Sequence, residues 1–376
     1  MASSKPLVLV TALSGYIGSA CGLAFLRAGF RVRGTLRRQA QADAWIGKYP
    51  EWREDVEFAI VEDMGRQGSY EEACRGVWGV CHVASPFCFG YTDNERDMLL
   101  PAIRGTTEIL QAAHRAGTVR KVVITSSFAA LQDYHAGAHA GHVYTEEDWC
   151  PLTWDEAKQT SDQLLVYVAS KKYAEAAAWR FVDEKQPQFT VTTILPVYVL
   201  GASPQPLESL DDLSVSASWI RAFFDAPKVP QAPLHVRHGR HRGRRRRARR
   251  RARAPRRRRN RYLVAAPGDV TGASVARLLR ELFPDQAGRF PDPEGVAAGE
   301  EEEEVEHWRW DTARCVAVPV RFESSGAPSR VAKCPEMGSE RARRAERDLG
   351  MRWKSLKETV REAAEQVLEL ERKRTP

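Results

Sequence analysis

The sequence predicts an α/β fold in which helices cover both faces of a doubly wound parallel sheet. Two observations predict it. Short apolar runs rich in β-branched residues alternate with segments of helical periodicity through the first half of the chain. These runs lack the polar–apolar alternation of a half-exposed strand, which indicates strands that are buried on both faces. Regular alternation of such strands with helices is typical of a parallel sheet with helical connections.

The N-terminal half is predicted to alternate strand and helix from its start. A strand over residues 7–10 leads into a helix over residues 16–27, where Ile17, Cys21 and Ala24 recur near helical spacing. Further strands are predicted over residues 30–36, 56–61, 79–84 and 121–126, and further helices over residues 69–75 and 99–116.

The second half is less regular. A long helix over residues 161–184 precedes a sixth strand over residues 190–195, which ends at Pro196. The later elements are helices over residues 214–224, 272–282, 339–349 and 355–372, a strand over 261–266, and an acidic loop over 300–304. A chain of 376 residues is long enough for about two domains.

The composition excludes several classes of protein. A hydrophobic content of 43% with 28% charged residues excludes a globally disordered chain. No stretch reaches the ~18 apolar residues of a membrane span, and a strand that begins at Leu7 leaves no room for a signal peptide. The seven cysteines are scattered without a CxxC pair, so we expect no metal site, no disulfide framework and a cytoplasmic location.

A turn with two glycines joins the first strand to the first helix. Gly15 and Gly18 occupy the second and third positions of a Gly-x-x-Gly-x-x-Gly spacing, and Ala12 occupies the first. Such a turn lets the backbone approach a dinucleotide pyrophosphate that faces the helix N-terminus. Two glycines before a helix are common, so a turn that only permits close helix–sheet packing remains the alternative.

Basic residues at the end of the second strand bear on the choice of dinucleotide. Arg37 and Arg38 stand where an acidic residue would hydrogen-bond the ribose 2′-hydroxyl of NAD. A guanidinium suits the 2′-phosphate of NADP instead, through charge-assisted hydrogen bonds. A solvated basic loop is the alternative interpretation.

Hydroxyl and ammonium groups suited to carbonyl chemistry follow in the middle of the chain. Tyr167 and Lys171 lie four residues apart in the long helix and therefore share one face. The cation is expected to lower the tyrosine pKa, so that the phenol can exchange a proton with a carbonyl or alcohol oxygen. Ser126 and Ser127 end the fifth strand, where a hydroxyl can stabilise developing charge or simply cap the strand.

In this order, the motifs resemble those of the extended short-chain dehydrogenase/reductase superfamily. The likeness is greatest to the branch that holds dihydroflavonol 4-reductase, cinnamoyl-CoA reductase and the fungal aldehyde and methylglyoxal reductases. It extends from residue 5 to about 237 and from residue 261 to about 370. The stretches that carry it lie at residues 8–11, 15–18, 32–37, 82–86, 101–106, 122–127 and 167–175.

The resemblance implies an NADP-binding Rossmann domain over residues 1–196, with the catalytic helix at 161–184, and a mostly C-terminal substrate lobe over 197–376. It implies that Tyr167 is the general acid/base, that Lys171 assists it, and that Ser127 rather than Ser126 polarises the carbonyl. The implied cofactor contacts are Gly15 and Gly18 at the pyrophosphate with Tyr16 and Ile17 between them, Arg37 at the 2′-phosphate, Asp63 at the adenine, Ala84 and Pro196 beside the nicotinamide, and Tyr167 and Lys171.

The sequence departs from the family at Ala12, which stands where the family has glycine. Its methyl group would be harmless at a negative φ and would crowd the turn otherwise. The strength of cofactor binding is therefore left open by the sequence.

An arginine-rich segment over residues 237–261 is the larger departure. It holds sixteen arginines and no acidic residue, and removing those charges from the net charge of +8 leaves −8. The family has an aspartate and a helix here. Three interpretations stay open: a solvated basic loop or nuclear signal, a nucleic-acid-binding arm, and, favoured, a reading-frame error that turns alanine codons into arginine codons. In each case we expect a poorly ordered excursion that weakens the substrate side.

The sequence thus predicts an NADPH-dependent reductase of aldehydes or ketones, acting on a small-molecule carbonyl substrate as a monomer or homodimer. Neither a membrane nor a nucleic acid is expected as a partner. Two alternatives stay open: a nucleic-acid-binding protein on an inactive reductase scaffold, and a nucleotide-sugar epimerase or dehydratase. The segments expected to line the substrate pocket, residues 86–91, 131–165 and 198–213, carry no signature of one substrate.

Overall fold

The computed structural model describes residues 5–136, 142, 144–230, 259–264, 270–293 and 353–374. Their central element is a seven-stranded sheet in which every pair of neighbours is parallel, in the order β3-β2-β1-β4-β5-β6-β7. The strands are β1 (Leu7–Val10), β2 (Arg31–Leu36), β3 (Val56–Ile60), β4 (Gly79–His82), β5 (Lys121–Thr125), β6 (Thr190–Pro196) and β7 (Arg259–Val264).

This strand order confirms the predicted doubly wound fold. The chain builds the sheet outward from β1 to β3, returns to place β4 beside β1, and then continues outward to β7. The direction of winding therefore reverses between β1 and β4. The crevice at the carboxyl ends of strands at such a reversal is the usual ligand site in open α/β sheets.

Helices of very different length connect the strands. They are α1 (Tyr16–Arg27), α2 (Gln39–Lys48), α3 (Glu71–Cys74), α4 (Leu100–Ala116), α5 (Trp154–Gln159), α6 (Gln163–Lys185), α7 (Val215–Arg221), α8 (Gly272–Leu282) and α9 (Leu356–Arg374). A π-helical turn, Glu95–Leu99, precedes α4. Among the described helices, none has both the length and the apolar character needed to cross a bilayer.

The predicted element bounds agree closely with the structure in most places. The first strand, the first helix and the helix over 272–282 are confirmed at the predicted residues. Helices α2 and α5 were not predicted. Helix α2 buries only Ala42 and Trp45, so it has no apolar stripe to detect, and α5 has only six residues.

The end of the arginine-rich segment requires a correction. The strand predicted over 261–266 begins at Arg259 and ends at Val264, so the last arginines of the run belong to the sheet. Residues 231–258, which hold the rest of the segment, lie outside the described residues, as do the predicted loop at 300–304 and helix at 339–349.

The described residues form five clusters of buried apolar side chains, and the three largest surround the sheet and pack the C-terminal helices. One lies between the sheet and α1, and includes Val8, Leu13 and Trp45. A second lies on the opposite face against α4 and α6, and includes Ile109 and Phe181. A third joins α7, α8 and α9, separate from the sheet. The predicted division of the chain at residue 196 remains a prediction, and β7 from beyond that point belongs to the sheet.

Candidate active site

The glycine turn lies between β1 and α1 at the carboxyl edge of the sheet. Thr35 on β2 fixes it, since its hydroxyl accepts a hydrogen bond from the Ala12 N–H at 3.1 Å and its carbonyl accepts one from the Leu13 N–H at 3.0 Å. A Cβ atom placed on Gly18 would lie 2.0 Å from the Ala12 carbonyl oxygen. Close contact between this helix and the turn therefore requires glycine at position 18.

Ala12 has a φ of 53°, in the left-handed region that favours glycine. The condition under which its methyl group would be harmless is thus not met. A left-handed conformation costs an L-residue about 1–2 kcal/mol. Position 12 is a point of backbone strain in a turn that is otherwise built on glycine.

The first turn of α1 is suited to bind an anion. Gly15 is its N-cap and has no side chain to accept from the first backbone N–H groups. Tyr16, Ile17 and Pro196, three of the predicted cofactor residues, line a cavity of about 200 Å³ between α1 and the sheet. The cavity extends along α1 as far as Arg27, and it is lined neither by Gly15 and Gly18 nor by Ser127, Tyr167 and Lys171.

Ala84 is fixed beside this turn by the hydroxyl of Thr11, which directly follows β1. Thr11 Oγ1 accepts hydrogen bonds from the N–H groups of Val83 and Ala84, both at 2.9 Å. With its lone pairs occupied, this hydroxyl must donate its proton to His82 Nδ1, 3.1 Å away. The imidazole is then the neutral tautomer protonated on Nε2, which agrees with its pKa, lowered to about 3 chiefly by burial and further by Lys171.

The other predicted cofactor residues lie farther out along the same edge. Arg37 directly follows β2 with an exposed side chain, and it forms no ion pair with a described residue. Asp63 lies beyond β3, where its carboxylate accepts a hydrogen bond from the Gly65 N–H at 2.8 Å. The structure thus leaves the Arg37 guanidinium free to meet a phosphate, as its predicted role requires.

Ser127, Tyr167 and Lys171 come together where β5 ends against helix α6. Ser127 and Tyr167 share a hydrogen bond, and the ammonium nitrogen of Lys171 lies 5.9 Å from the centre of the Tyr167 ring. The Ser127 hydroxyl also accepts from the Ala129 N–H at 3.2 Å, so it caps the 3₁₀ turn Phe128–Ala130 as well. Ser126 points elsewhere and donates to Glu175 at 2.6 Å.

The electrostatics of this group differ in one respect from the expectation. Burial raises the pKa of Tyr167, and the hydrogen bond with Ser127 opposes that rise. Burial lowers the pKa of Lys171 to about 8, against a weaker upward effect of Glu175. The cation was expected to lower the tyrosine pKa, whereas desolvation is the dominant effect on both groups in this structure.

Aromatic side chains form the approach to Tyr167. The Phe87 ring lies 5.1 Å from the Tyr167 ring in an edge-to-face arrangement and contacts Phe89 at 5.4 Å. Phe87 and Phe89 are about half exposed, at 49% and 53%. The two rings leave an exposed apolar surface beside the Tyr167 phenol.

No group of three or more potential metal ligands occurs among the described residues. The polar groups nearest Tyr167 and the glycine turn include hydroxyls, the ammonium group of Lys171 and backbone N–H groups. They can bind a dinucleotide and transfer a proton.

Sequence comparison finds relatives that are reductases and other oxidoreductases. A family model described as "Male sterility protein" matches residues 66–232. An uncharacterized oxidoreductase of Schizosaccharomyces pombe is 35% identical over 291 residues, which are 77% of this chain and 86% of that protein. Aldehyde reductase 2 of Sporidiobolus salmonicolor is 35% identical over 237 residues, 61% of this chain and 66% of that protein.

Structural comparison agrees with the fold. The crystal structure of a yeast methylglyoxal/isovaleraldehyde reductase complexed with NADPH superposes with a TM-score of 0.74. The match covers 98% of this chain and 99% of the yeast protein at 23% identity. At that identity the likeness establishes the architecture, a Rossmann-type sheet with its flanking helices.

Proposed function

The chain belongs to the extended short-chain dehydrogenase/reductase superfamily, and we propose that it is an oxidoreductase that reduces an aldehyde or ketone with NADPH. The observation that carries the proposal is the meeting of Ser127, Tyr167 and Lys171 at the carboxyl end of β5, which only β4 separates from the strand that leads into the glycine turn. The relatives named above are reductases and an oxidoreductase. This supports the proposal over the nucleotide-sugar and nucleic-acid alternatives.

The proton is handled by residues of this chain. Tyr167 keeps its phenolic proton at neutral pH because burial raises its pKa, so it is a donor in the direction of reduction. Ser127, bonded to the same phenol, is placed to hydrogen-bond the carbonyl oxygen and to stabilise the negative charge that develops on it. Lys171, protonated below a pKa of about 8, keeps a positive charge near the phenol at neutral pH.

Bound NADPH would supply the hydride. The first turn of α1, behind Gly15 and Gly18, would hold the pyrophosphate, and Arg37 would pair with the 2′-phosphate. Ala84, fixed by Thr11, and Pro196 would border the nicotinamide, while Asp63 would face the adenine. The fit rests on the space that Gly18 leaves at the turn, which a Cβ atom would fill.

The proposed substrate is a small carbonyl compound with an apolar substituent, since Phe87 and Phe89 line the approach to Tyr167. We place the enzyme in the cytoplasm as a monomer or homodimer. The described cysteines, Cys21, Cys74, Cys81, Cys88 and Cys150, are all unpaired, which fits a reducing compartment.

Fluorescence titration with NADPH and with NADH tests the cofactor assignment. We expect tighter binding of NADPH, and the substitution Arg37→Ser should weaken NADPH binding by at least about tenfold while leaving NADH binding unchanged. The exposed Arg53 offers a control, since Arg53→Ser should alter neither affinity. Equal affinities for the two cofactors in the natural protein would contradict the role of Arg37.

Turnover of a panel of aldehydes and ketones, followed by NADPH absorbance, tests the reaction. Apolar aldehydes should be reduced faster than charged ones of the same length. Tight NADPH binding without turnover of any carbonyl compound would contradict the proposed reaction.

A further inference from the structure

A buried ion pair lies directly behind the catalytic face of helix α6. The Glu175 carboxylate, one helical turn after Lys171, is only 1% exposed, and the Arg261 side chain on β7 is 10% exposed. Arg261 donates to this carboxylate through Nε at 2.7 Å and through a terminal nitrogen at 3.2 Å. The pair thus has the forked geometry of a strong guanidinium–carboxylate contact.

Glu175 also collects hydrogen bonds from the two strands nearest the site. Ser126 at the end of β5 donates to it at 2.6 Å, and Thr193 on β6 donates at 2.8 Å. Trp179 on α6 donates through its indole N–H at 3.2 Å. One carboxylate therefore joins β5, β6 and β7 to the helix that carries Tyr167 and Lys171.

Arg261 extends the network toward the segment that precedes helix α5. Its remaining terminal nitrogen donates to the carbonyl oxygens of Glu146 and Asp148, at 2.9 and 2.6 Å. Its guanidinium carbon lies 4.0 Å from the centre of the Trp149 ring. Burial of so many polar groups is tolerated only when each is satisfied, so the elements that provide them are held in one arrangement.

We propose that Glu175 and Arg261 form a positioning pair, which holds the catalytic face of α6 against the ends of β5 and β6 and sets the electric field at Lys171. The inference rests on the proposed function for the roles of Tyr167 and Lys171. It goes beyond that function because it assigns a task to an arginine at the end of a run that looked like solvated surface.

The charged and titratable groups around Lys171 determine how its ionisation midpoint should change when a member of the pair is replaced. Tyr167 and Glu175 flank it on its own helix, and His82 faces it from β4 as a neutral imidazole. Arg261 acts through Glu175 by offsetting its negative charge. Glu175→Gln should therefore lower the ionisation midpoint of Lys171, and Arg261→Met should raise it, each by about one pH unit.

The matched control is Arg259, which lies on the same strand and reaches the same helix. It pairs with Asp183, whose side chain is 64% exposed, and stacks on Trp179 at 5.7 Å. Arg259→Met removes a guanidinium from the β7–α6 contact without touching Glu175. It should leave the Lys171 midpoint where it is in the natural protein.

The midpoint is measured in the full chain by competitive acetylation with acetic anhydride at a series of pH values, with mass spectrometry of the modified peptide resolving Lys171 from Lys172. The pH profile of kcat is the second readout, and its alkaline limb should move with the midpoint in each variant. Arg261→Lys keeps the charge but loses the fork. It should retain the midpoint, with kcat lower by about tenfold and KM less affected.

Opposite shifts for Glu175→Gln and Arg261→Met, with no shift for Arg259→Met, would support the proposal. Two results would overturn the proposal and leave the pair a purely structural contact: equal Lys171 midpoints in all variants, or the same shift of that midpoint in Arg261→Met and in Arg259→Met. If Arg261→Met does not fold, the other two variants still test the proposal. The Lys171 midpoint should be lowered in Glu175→Gln and unchanged in Arg261→Lys. Because acetylation needs no turnover, an inactive natural protein would count against the proposed function alone.

Discussion

At the turn between β1 and α1 the candidate site depends on glycines, which have no side chain. On helix α6 it depends on side chains that several neighbouring residues hold in place. Gly15 and Gly18 leave space beside the backbone, and one methyl group at position 12 is enough to strain the turn. On α6 the phenol of Tyr167 and the carboxylate of Glu175 are bonded to residues of the neighbouring strands.

The difference predicts two kinds of sensitivity to mutation. At the turn, substitutions that add atoms should be the harmful ones, because the backbone must closely approach the dinucleotide pyrophosphate. On α6, substitutions that remove atoms should be the harmful ones, because a buried polar group that loses its hydrogen-bond partner still carries the cost of its desolvation. Substitutions at each place can therefore confirm the contrast or remove it.

The largest effect is expected where a reacting atom is removed from α6. Tyr167→Phe deletes the proposed proton donor and should lower kcat by about 10²–10⁴-fold, with NADPH affinity unchanged. The measurements are steady-state turnover and fluorescence titration. Tyr173→Phe is the control on the same helix, since the Tyr173 hydroxyl donates a hydrogen bond to the Leu152 carbonyl, at 3.3 Å, rather than to Ser127. Comparable turnover in the two variants would remove Tyr167 from the mechanism.

An added methyl group at the turn should have the next largest effect. In Gly18→Ala the new Cβ would lie 2.0 Å from the Ala12 carbonyl oxygen, so the turn must shift. A misplacement of about 1 Å can cost about 100-fold, and we expect NADPH affinity to fall by that order. Gly47→Ala in helix α2, where a Cβ atom meets nothing within 4 Å, should leave the affinity unchanged.

The smallest effect is expected from relieving the strain at position 12. Ala12→Gly fits the φ of 53° and should stabilise the protein by about 1 kcal/mol. The opposite sign is expected for Ala24→Gly inside helix α1, which should cost about 1 kcal/mol. Thermal unfolding measures both. A destabilised Ala12→Gly variant would mean that the turn does not hold Ala12 in a left-handed conformation.

Local patterns in the sequence were enough to predict most of the sheet and part of the site. Buried parallel strands appear in the sequence as continuous apolar runs. Tyr167 and Lys171, four residues apart, lie on the same face of any straight helix. The ends of β5 and β6 also follow from pattern. These features depend on neighbours in the chain, so they are readable without knowing the fold.

Features that depend on distant partners could not be predicted. Glu175 and Arg261 are separated by 86 residues, and Arg261 ends a charged run whose composition suggests solvated chain. The tautomer of His82 depends on the hydroxyl of Thr11, 71 residues away in the chain. The sign of φ at Ala12 was likewise undetermined, because the hydrogen bonds from Thr35 on β2 help to fix the turn.

The separation of Glu175 from Arg261 also has a consequence during synthesis on the ribosome. At 5–20 residues per second, the 86 residues that end with Arg261 take roughly 4–17 s to be synthesised after Glu175. Six strands can assemble in that interval with the carboxylate of α6 still without its guanidinium. Among the described strands β7 is synthesised last, and its arrival completes the seven-stranded sheet and brings the Arg261 guanidinium to the buried Glu175 carboxylate.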